Sequence, residues 1–65
     1  MNWDQVQGRW KEMTGNIRSE WGELTDDEIA EAKGDREALE GQIQKKYGKS
    51  KEEARKDVDR WLAKQ

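Results

Sequence analysis

Apolar side chains recur every three or four residues through the first third of the chain, which is the spacing of one face of an α-helix. They are Trp3, Val6, Trp10, Met13, Ile17, Trp21 and Leu24. At about 100° of rotation per residue, these positions fall within one narrow arc. The pattern therefore predicts a single first helix that runs from Trp3 towards Leu24, with Gly22 as its stop.

Cap signals divide the rest of the chain into three further predicted helices. The stretch Thr25–Glu28 matches a capping box, in which a Thr hydroxyl and a Glu carboxylate bond the free amides of a helix start. This second helix ends at Gly34, and Asp35 is a suitable N-cap for a third helix that ends at Gly48. A second capping box, Ser50–Glu53, opens the fourth helix. The apolar positions of these helices are Ile29, Ala32, Ala38, Leu39, Ile43, Tyr47, Ala54, Val58, Trp61 and Leu62.

The six glycines indicate an internal repeat. They form two triads with a spacing of seven residues, and the second triad is displaced from the first by 26 residues. The triads are Gly8, Gly15, Gly22 and Gly34, Gly41, Gly48. The two capping boxes, which start at Thr25 and Ser50, match at an offset of 25. The chain is therefore predicted to be a duplicated helical hairpin. Because neither copy can bury its apolar stripe alone, the two should pack face to face at a large angle.

Composition limits the core and the chemistry. Of 65 residues, 31% are hydrophobic and 43% are charged, so we expect one all-α domain, residues 1–65, around a thin core to which four Trp contribute. With no Cys and no His, the chain lacks thiolates and imidazoles for a metal site, and no imidazole can activate its hydroxyls. We therefore expect no catalytic residue, no metal and no cofactor, and predict that the protein is not an enzyme.

Several short motifs, taken together, carry a family resemblance over nearly the whole chain. They are Gly8-Arg9-Trp10-Lys11, Gly15-Asn16-Ile17, Trp21-Gly22-Glu23-Leu24-Thr25-Asp26-Asp27, Gly41-Gln42-Ile43-Gln44 and Tyr47-Gly48. With these motifs the sequence resembles the CsbD-like family of small bacterial general stress response proteins. The resemblance implies a four-helix, SAM-like fold and expression within the general stress response. It transfers no active site and no ligand.

Charge is divided unevenly between the two predicted hairpins, since residues 1–33 carry a net charge of −4 and residues 34–65 carry +2. Basic residues cluster around the turn between the third and fourth helices, which we name the basic turn. Its members are Lys45, Lys46, Lys49, Lys51, Arg55 and Lys56. Such a cluster could contact phosphates. Interrupting carboxylates and the low isoelectric point of about 5.1 favour a solvated face instead.

Two tryptophans and two glycines are further candidates for an interaction surface. Trp3 and Trp10 lie at the N-terminal end of the first stripe, where an exposed indole would mark an interface, although a role in the core is favoured. Gly15 and Gly41 lie mid-helix, where Gly costs about 1 kcal/mol relative to Ala. A bend or a close contact with the other hairpin is the favoured explanation for these glycines.

The sequence therefore predicts a non-enzymatic bacterial stress response protein that acts by weak binding or shielding of other macromolecules. The alternative is a nucleic-acid-binding or protein adaptor module that uses the basic turn. The apolar runs are too short for a membrane span, and we expect a cytoplasmic protein. The opposite charges of the hairpins suggest a monomer or weak, salt-dependent self-association.

Overall fold

Five α-helices make up the fold in the computed structural model, which describes residues 1–65. They are α1 (Trp3–Gly8), α2 (Trp10–Glu20), α3 (Asp26–Ala32), α4 (Arg36–Tyr47) and α5 (Lys51–Lys64). The prediction of an all-α protein is confirmed. The predicted count of four helices is wrong, because the first predicted helix is two helices.

The break between α1 and α2 lies at Arg9. Its backbone leaves the helical region at φ −116° and ψ 32°, and its N–H donates to the carbonyl oxygens of both Gln5 and Val6. The resulting bend lets Val6 reach the core, where it is fully buried, and lets the indole N–H of Trp3 donate to the carbonyl of Gly34 at 2.8 Å. The periodicity alone did not show this bend.

The end of α2 also differs from the prediction. The helix ends at Glu20, and Trp21 follows it as the C-cap with φ −120° and ψ 77°. This conformation places Trp21 in the core, where it is 4% exposed and its ring lies 5.6 Å from the ring of Trp61. Gly22 therefore lies in the turn after the helix and does not itself end it.

Both predicted capping boxes are present. The hydroxyls of Thr25 and Ser50 accept the amides three residues on, and the carboxylates of Glu28 and Glu53 accept the cap amides in return. These reciprocal bonds satisfy amides that have no acceptor within the helix. The starts of α3 and α5 are therefore determined by short-range contacts.

The turn between α3 and α4 depends on a left-handed backbone. Helix α3 ends at Ala32, and both Lys33 and Gly34 have positive φ, of 53° and 81°. Asp35 then caps α4 through the amide of Glu37, as predicted. A Cβ at Gly34 would also lie 2.8 Å from Cγ of Gln7, so α1 packs directly on this turn.

Helix starts keep the spacing of the sequence repeat. Helices α2 and α4 start at Trp10 and Arg36, and helices α3 and α5 start at Asp26 and Lys51. Helix α2 packs against α3, and α4 packs against both α3 and α5. The large angle between the hairpins and the SAM-like arrangement stay predictions.

One continuous cluster of twelve buried side chains forms the core, with every helix contributing. Its members are Val6, Met13, Ile17, Trp21, Leu24, Ile29, Ala32, Leu39, Ile43, Ala54, Val58 and Trp61. Trp3, Trp10, Ala38, Tyr47 and Leu62 pack against it while partly exposed. The apolar stripes of the sequence therefore meet in a single core, as their periodicity predicts.

Candidate interaction surface

The basic turn spans the end of α4, the connection around Gly48 and the start of α5. It lies beside the acidic connection between α2 and α3. The hydroxyl of Tyr47 accepts the amide of Glu23 at 3.0 Å, and Nζ of Lys46 lies 3.0 Å from a carboxylate oxygen of Glu28. The two oppositely charged connections are thus neighbours within one molecule.

Three members of the basic turn form ion pairs within the molecule. Lys46 pairs with Glu28 of α3, Lys49 pairs with Asp57 of α5, and Arg55 pairs with carboxylates on its own helix. The Asp57 side chain is only 11% exposed, and Arg60 pairs with it as well. An incoming phosphate would have to compete with these carboxylates.

The remaining members of the basic turn, Lys45, Lys51 and Lys56, are exposed and have no carboxylate within ion-pair distance. They are the cations of this region that are free to meet a partner. The sequence identified the six basic residues but could not separate the paired from the free ones, because the pairs of Lys46 and Lys49 depend on how α3 and α5 pack against the basic turn.

A second ion-pair network joins α4 to α5 and was not anticipated from the sequence. Nε of Arg36 lies 2.7 Å from Glu40, and its Nη2 lies 2.6 Å from Asp59 and 3.2 Å from the carbonyl of Arg55. Glu40 is 6% exposed and is the buried charge of the protein. The i,i+4 spacing of Arg36 and Glu40 was the available sequence signal.

Hydrogen bonds and ion pairs lower the pKa values of four carboxyl groups. The amide of Thr25 and the ammonium of Lys46 lower the pKa of Glu28, and the amide of Ser50 lowers that of Glu53. The guanidinium of Arg55 lowers the pKa of Glu52 in the same way. The pKa of Asp59 falls because Arg36 binds its charged form. Each shift belongs to a helix cap or an ion pair.

Trp3 and Trp10 lie half-buried against the core and contact each other edge to face, with ring centres 5.8 Å apart. The indole N–H of Trp10 donates to the carbonyl of Ile29 at 3.0 Å, as that of Trp3 donates to Gly34. Both polar atoms therefore have partners inside the molecule. Both side chains are partly exposed.

Gly15 and Gly41 are exposed on the outer faces of α2 and α4. A Cβ built at either position would meet no atom within 4 Å. The explanation by close contact with the other hairpin is therefore wrong. The other explanation, a bend of each helix, stays a prediction.

Hollows on the surface are small and mostly polar. Their volumes are about 210, 270 and 220 Å³, and the first lies between α2 and the end of α5. No group of three or more acidic side chains is arranged to hold a metal ion. None of the five helices combines the length and the apolar character that crossing a membrane requires.

These features define a small all-α protein with a thin core and a highly charged surface on which about half of the charged side chains form ion pairs within the molecule. The chain matches the CsbD-like family model over residues 4–56, and it belongs to that family. It is 52% identical to a UPF0337 protein of Bordetella pertussis over 89% of this chain and 88% of that protein. It is 44% identical to the UPF0337 protein YjbJ of Escherichia coli over 94% of this chain and 88% of that protein. No solved structure matches the chain.

Proposed function

We propose that this protein is a non-enzymatic component of the bacterial stress response that acts in the cytoplasm by weak binding or shielding of other macromolecules. Membership of the CsbD-like family, which is associated with stress responses, supports the setting. The mean hydropathy of −1.46 supports the mode of action, because a surface of this kind makes polar contacts that water and salt weaken.

One observation carries the proposal: nearly all the large apolar side chains lie in the core or pack against it. Met1, at 37% exposure, is the large hydrophobic side chain that lies exposed, whereas charges of both signs cover the helices. Stable protein interfaces usually need apolar anchors at their centre. Contacts made through this surface are therefore weak and broad.

A protection assay tests the proposal. A client enzyme is dried or heated with this protein, or with an inert folded protein of equal mass, and its residual activity is measured. We expect a higher residual activity with this protein, and a smaller benefit at high salt if its charges make the contacts. Equal activity with both proteins would contradict the proposal. A matched variant, Lys45→Gln with Lys51→Gln and Lys56→Gln, removes free cations without disturbing an ion pair.

A second candidate function is binding of nucleic acid or an acidic protein through the basic turn. Its support is the exposure of Lys45, Lys51 and Lys56, which have no carboxylate partner. Lys46 and Lys49 contribute less, since their charges are already paired.

Salt-dependent titration separates this candidate from general shielding. Lys45→Glu with Lys51→Glu should abolish saturable binding of a labelled duplex DNA, while the parent protein should bind with a slope of a few charges against salt. As a control, Lys33→Glu changes a free cation on the α3–α4 turn. Absence of binding by the parent protein at about 50 mM salt would exclude the nucleic-acid form of this candidate.

A further inference from the structure

The junction between α1 and α2 combines a bent backbone with an apolar spacing that continues across it, and Gly8 is the one weak helix former beside the bend. Trp3, Val6, Trp10 and Met13 fall on one helical face across the junction, and the chain contains no proline that would force a break. The bend is made by a single residue, Arg9, with φ −116° and ψ 32°. One change of backbone conformation would therefore join the two helices.

The start of α2 is the one helix start without a side-chain cap. Asn2, Thr25, Asp35 and Ser50 each accept an amide of the helix that they precede, whereas Arg9 offers no acceptor. In a straight helix, the amides of the first turn of α2 would bond the carbonyls of the last turn of α1, four residues earlier. Straightening thus supplies the partners that the cap does not.

Helix α1 is held against the rest of the molecule by a few specific contacts. Val6 is fully buried, Trp3 donates to the carbonyl of Gly34, and Gln7 covers Gly34. A straight α1–α2 helix would carry Trp3 and Val6 away from this site. The apolar side chains of α1 and the surface that they cover in the monomer would then both be exposed to solvent. The segment that fits the uncovered site is α1 of a second copy.

We propose that this protein forms a domain-swapped dimer in which α1 continues α2 as one helix and docks on the α3–α4 turn of the partner copy. Each docking contact of the monomer then recurs between the two copies, and the helical hydrogen bonds at the junction are added. Exchange of an identical element is a low-cost route to a dimer because the contacts that each copy loses are re-formed with its partner. The loss of translational freedom on association confines the dimer to high protein concentration.

Disulfide trapping tests the exchange directly. Cβ of Gln7 lies 3.6 Å from the position of a Cβ at Gly34, within the range of about 3.5–4.5 Å that disulfides span. The natural chain has no Cys, so Gln7→Cys with Gly34→Cys adds the one available pair. In a monomer the bond closes within one chain, and in the swapped dimer it joins two chains.

The expected result is a covalent dimer on a non-reducing gel, with a share that rises with protein concentration during equilibration before oxidation. The variants Gln7→Cys and Gly34→Cys, each alone, measure dimers that form by random collision. If the double variant forms only monomer, or no more dimer than these controls, the proposal is overturned.

A second pair of variants leaves Gly34 unchanged, so that no side chain is placed at its strained backbone position. Arg9→Ala favours a continuous helix over Arg9→Gly by about fivefold per junction, hence by about 25-fold in the dissociation constant of a dimer with two junctions. Arg9 is exposed and forms no ion pair. Light scattering across a concentration series should show that Arg9→Ala forms a dimer at lower concentration than Arg9→Gly does. If both variants are monomeric at millimolar concentration, the exchange is contradicted.

Discussion

The α2–α3 and α4–α5 hairpins follow the same pattern of helix starts but are stabilised by different interactions. Six of the nine ion pairs lie within residues 34–65, and one, between Arg18 and Asp26, lies within residues 1–33. In the first hairpin, α2 and α3 are instead joined by a hydrogen bond from the indole N–H of Trp10 to the carbonyl of Ile29.

This difference shows that the repeat preserves buried apolar positions and the capping boxes of α3 and α5 but not the other polar contacts. Arg9, for example, offers no cap to α2, whereas Asp35 at the equivalent position caps α4. Ile17 and Ile43 occupy equivalent positions and are both fully buried. Trp21 and Tyr47 are also equivalent, yet one packs on Trp61 and the other bonds a backbone amide through its hydroxyl. The core should therefore respond symmetrically to substitution, and the surface should not.

The largest expected effect tests the symmetry of the core. Ile17→Ala and Ile43→Ala should each lower the free energy of unfolding by about 2–5 kcal/mol, because each leaves a cavity among fully buried side chains. Urea unfolding followed by Trp fluorescence measures both. A small loss at one position and a large loss at the other would contradict the equivalence of the two hairpins.

The next effect tests the asymmetry of the ion pairs. Arg36→Met should lower the free energy of unfolding by about 1–3 kcal/mol, because Glu40 is left buried without its cation. Arg18→Met is the matched control in the first hairpin, and its pair with Asp26 is exposed, so a change of less than about 1 kcal/mol is expected. The double variant Arg36→Met with Glu40→Leu should recover much of the lost free energy of unfolding, because no charge is then left buried. Equal effects of the two single variants would remove the distinction between the hairpins.

A smaller effect, of opposite sign, is expected at the exposed glycines. Gly15→Ala and Gly41→Ala should each raise the free energy of unfolding by about 0.5–1 kcal/mol, because a Cβ there meets no atom and Ala favours the helix. The increments should add, since the sites lie on different helices and share no contact. A loss of stability in thermal melts of either variant would indicate a contact that the structure lacks.

The smallest effect concerns pH. The pKa values of Glu28, Glu52, Glu53 and Asp59 are lower in the folded protein than their ordinary values, so their stabilising contribution is complete above about pH 5. It is lost as the pH falls through the folded pKa values. The melting temperature should therefore fall between about pH 5 and pH 2, and Asp59→Asn should reduce that dependence.

The starts of α3, α4 and α5 were predictable from the sequence because their causes are local. Thr25 and Glu28, like Ser50 and Glu53, bond one another across three residues, and the sequence alone places them correctly. The core positions followed from the helical period in the same way. The bend at Arg9 was not predicted, because the apolar spacing continues across it and the contacts that accompany it join α1 to Gly34, far along the chain.

The candidate surface was only partly predictable for the same physical reason. The sequence located the basic turn. How many of its charges are free depends on carboxylates of other helices, which pair with Lys46 and Lys49. Burial of Glu40 against Arg36 likewise follows from the packing of α4 on α5. Long-range pairing therefore decides which charges remain available to a partner.

The contact between Tyr47 and the amide of Glu23 has a consequence for the two halves as separate fragments. Two copies of residues 1–33 would lack this bond because Trp21, at the equivalent position, has no hydroxyl, and two copies of residues 34–65 would lack the amide of Glu23. The net charges of residues 1–33 and 34–65 are also opposite. If the chain is cut at the left-handed turn of Lys33 and Gly34, residues 1–33 should bind residues 34–65 more tightly than either fragment binds a second copy of itself. On this view the chain would act as two unlike halves joined in one molecule.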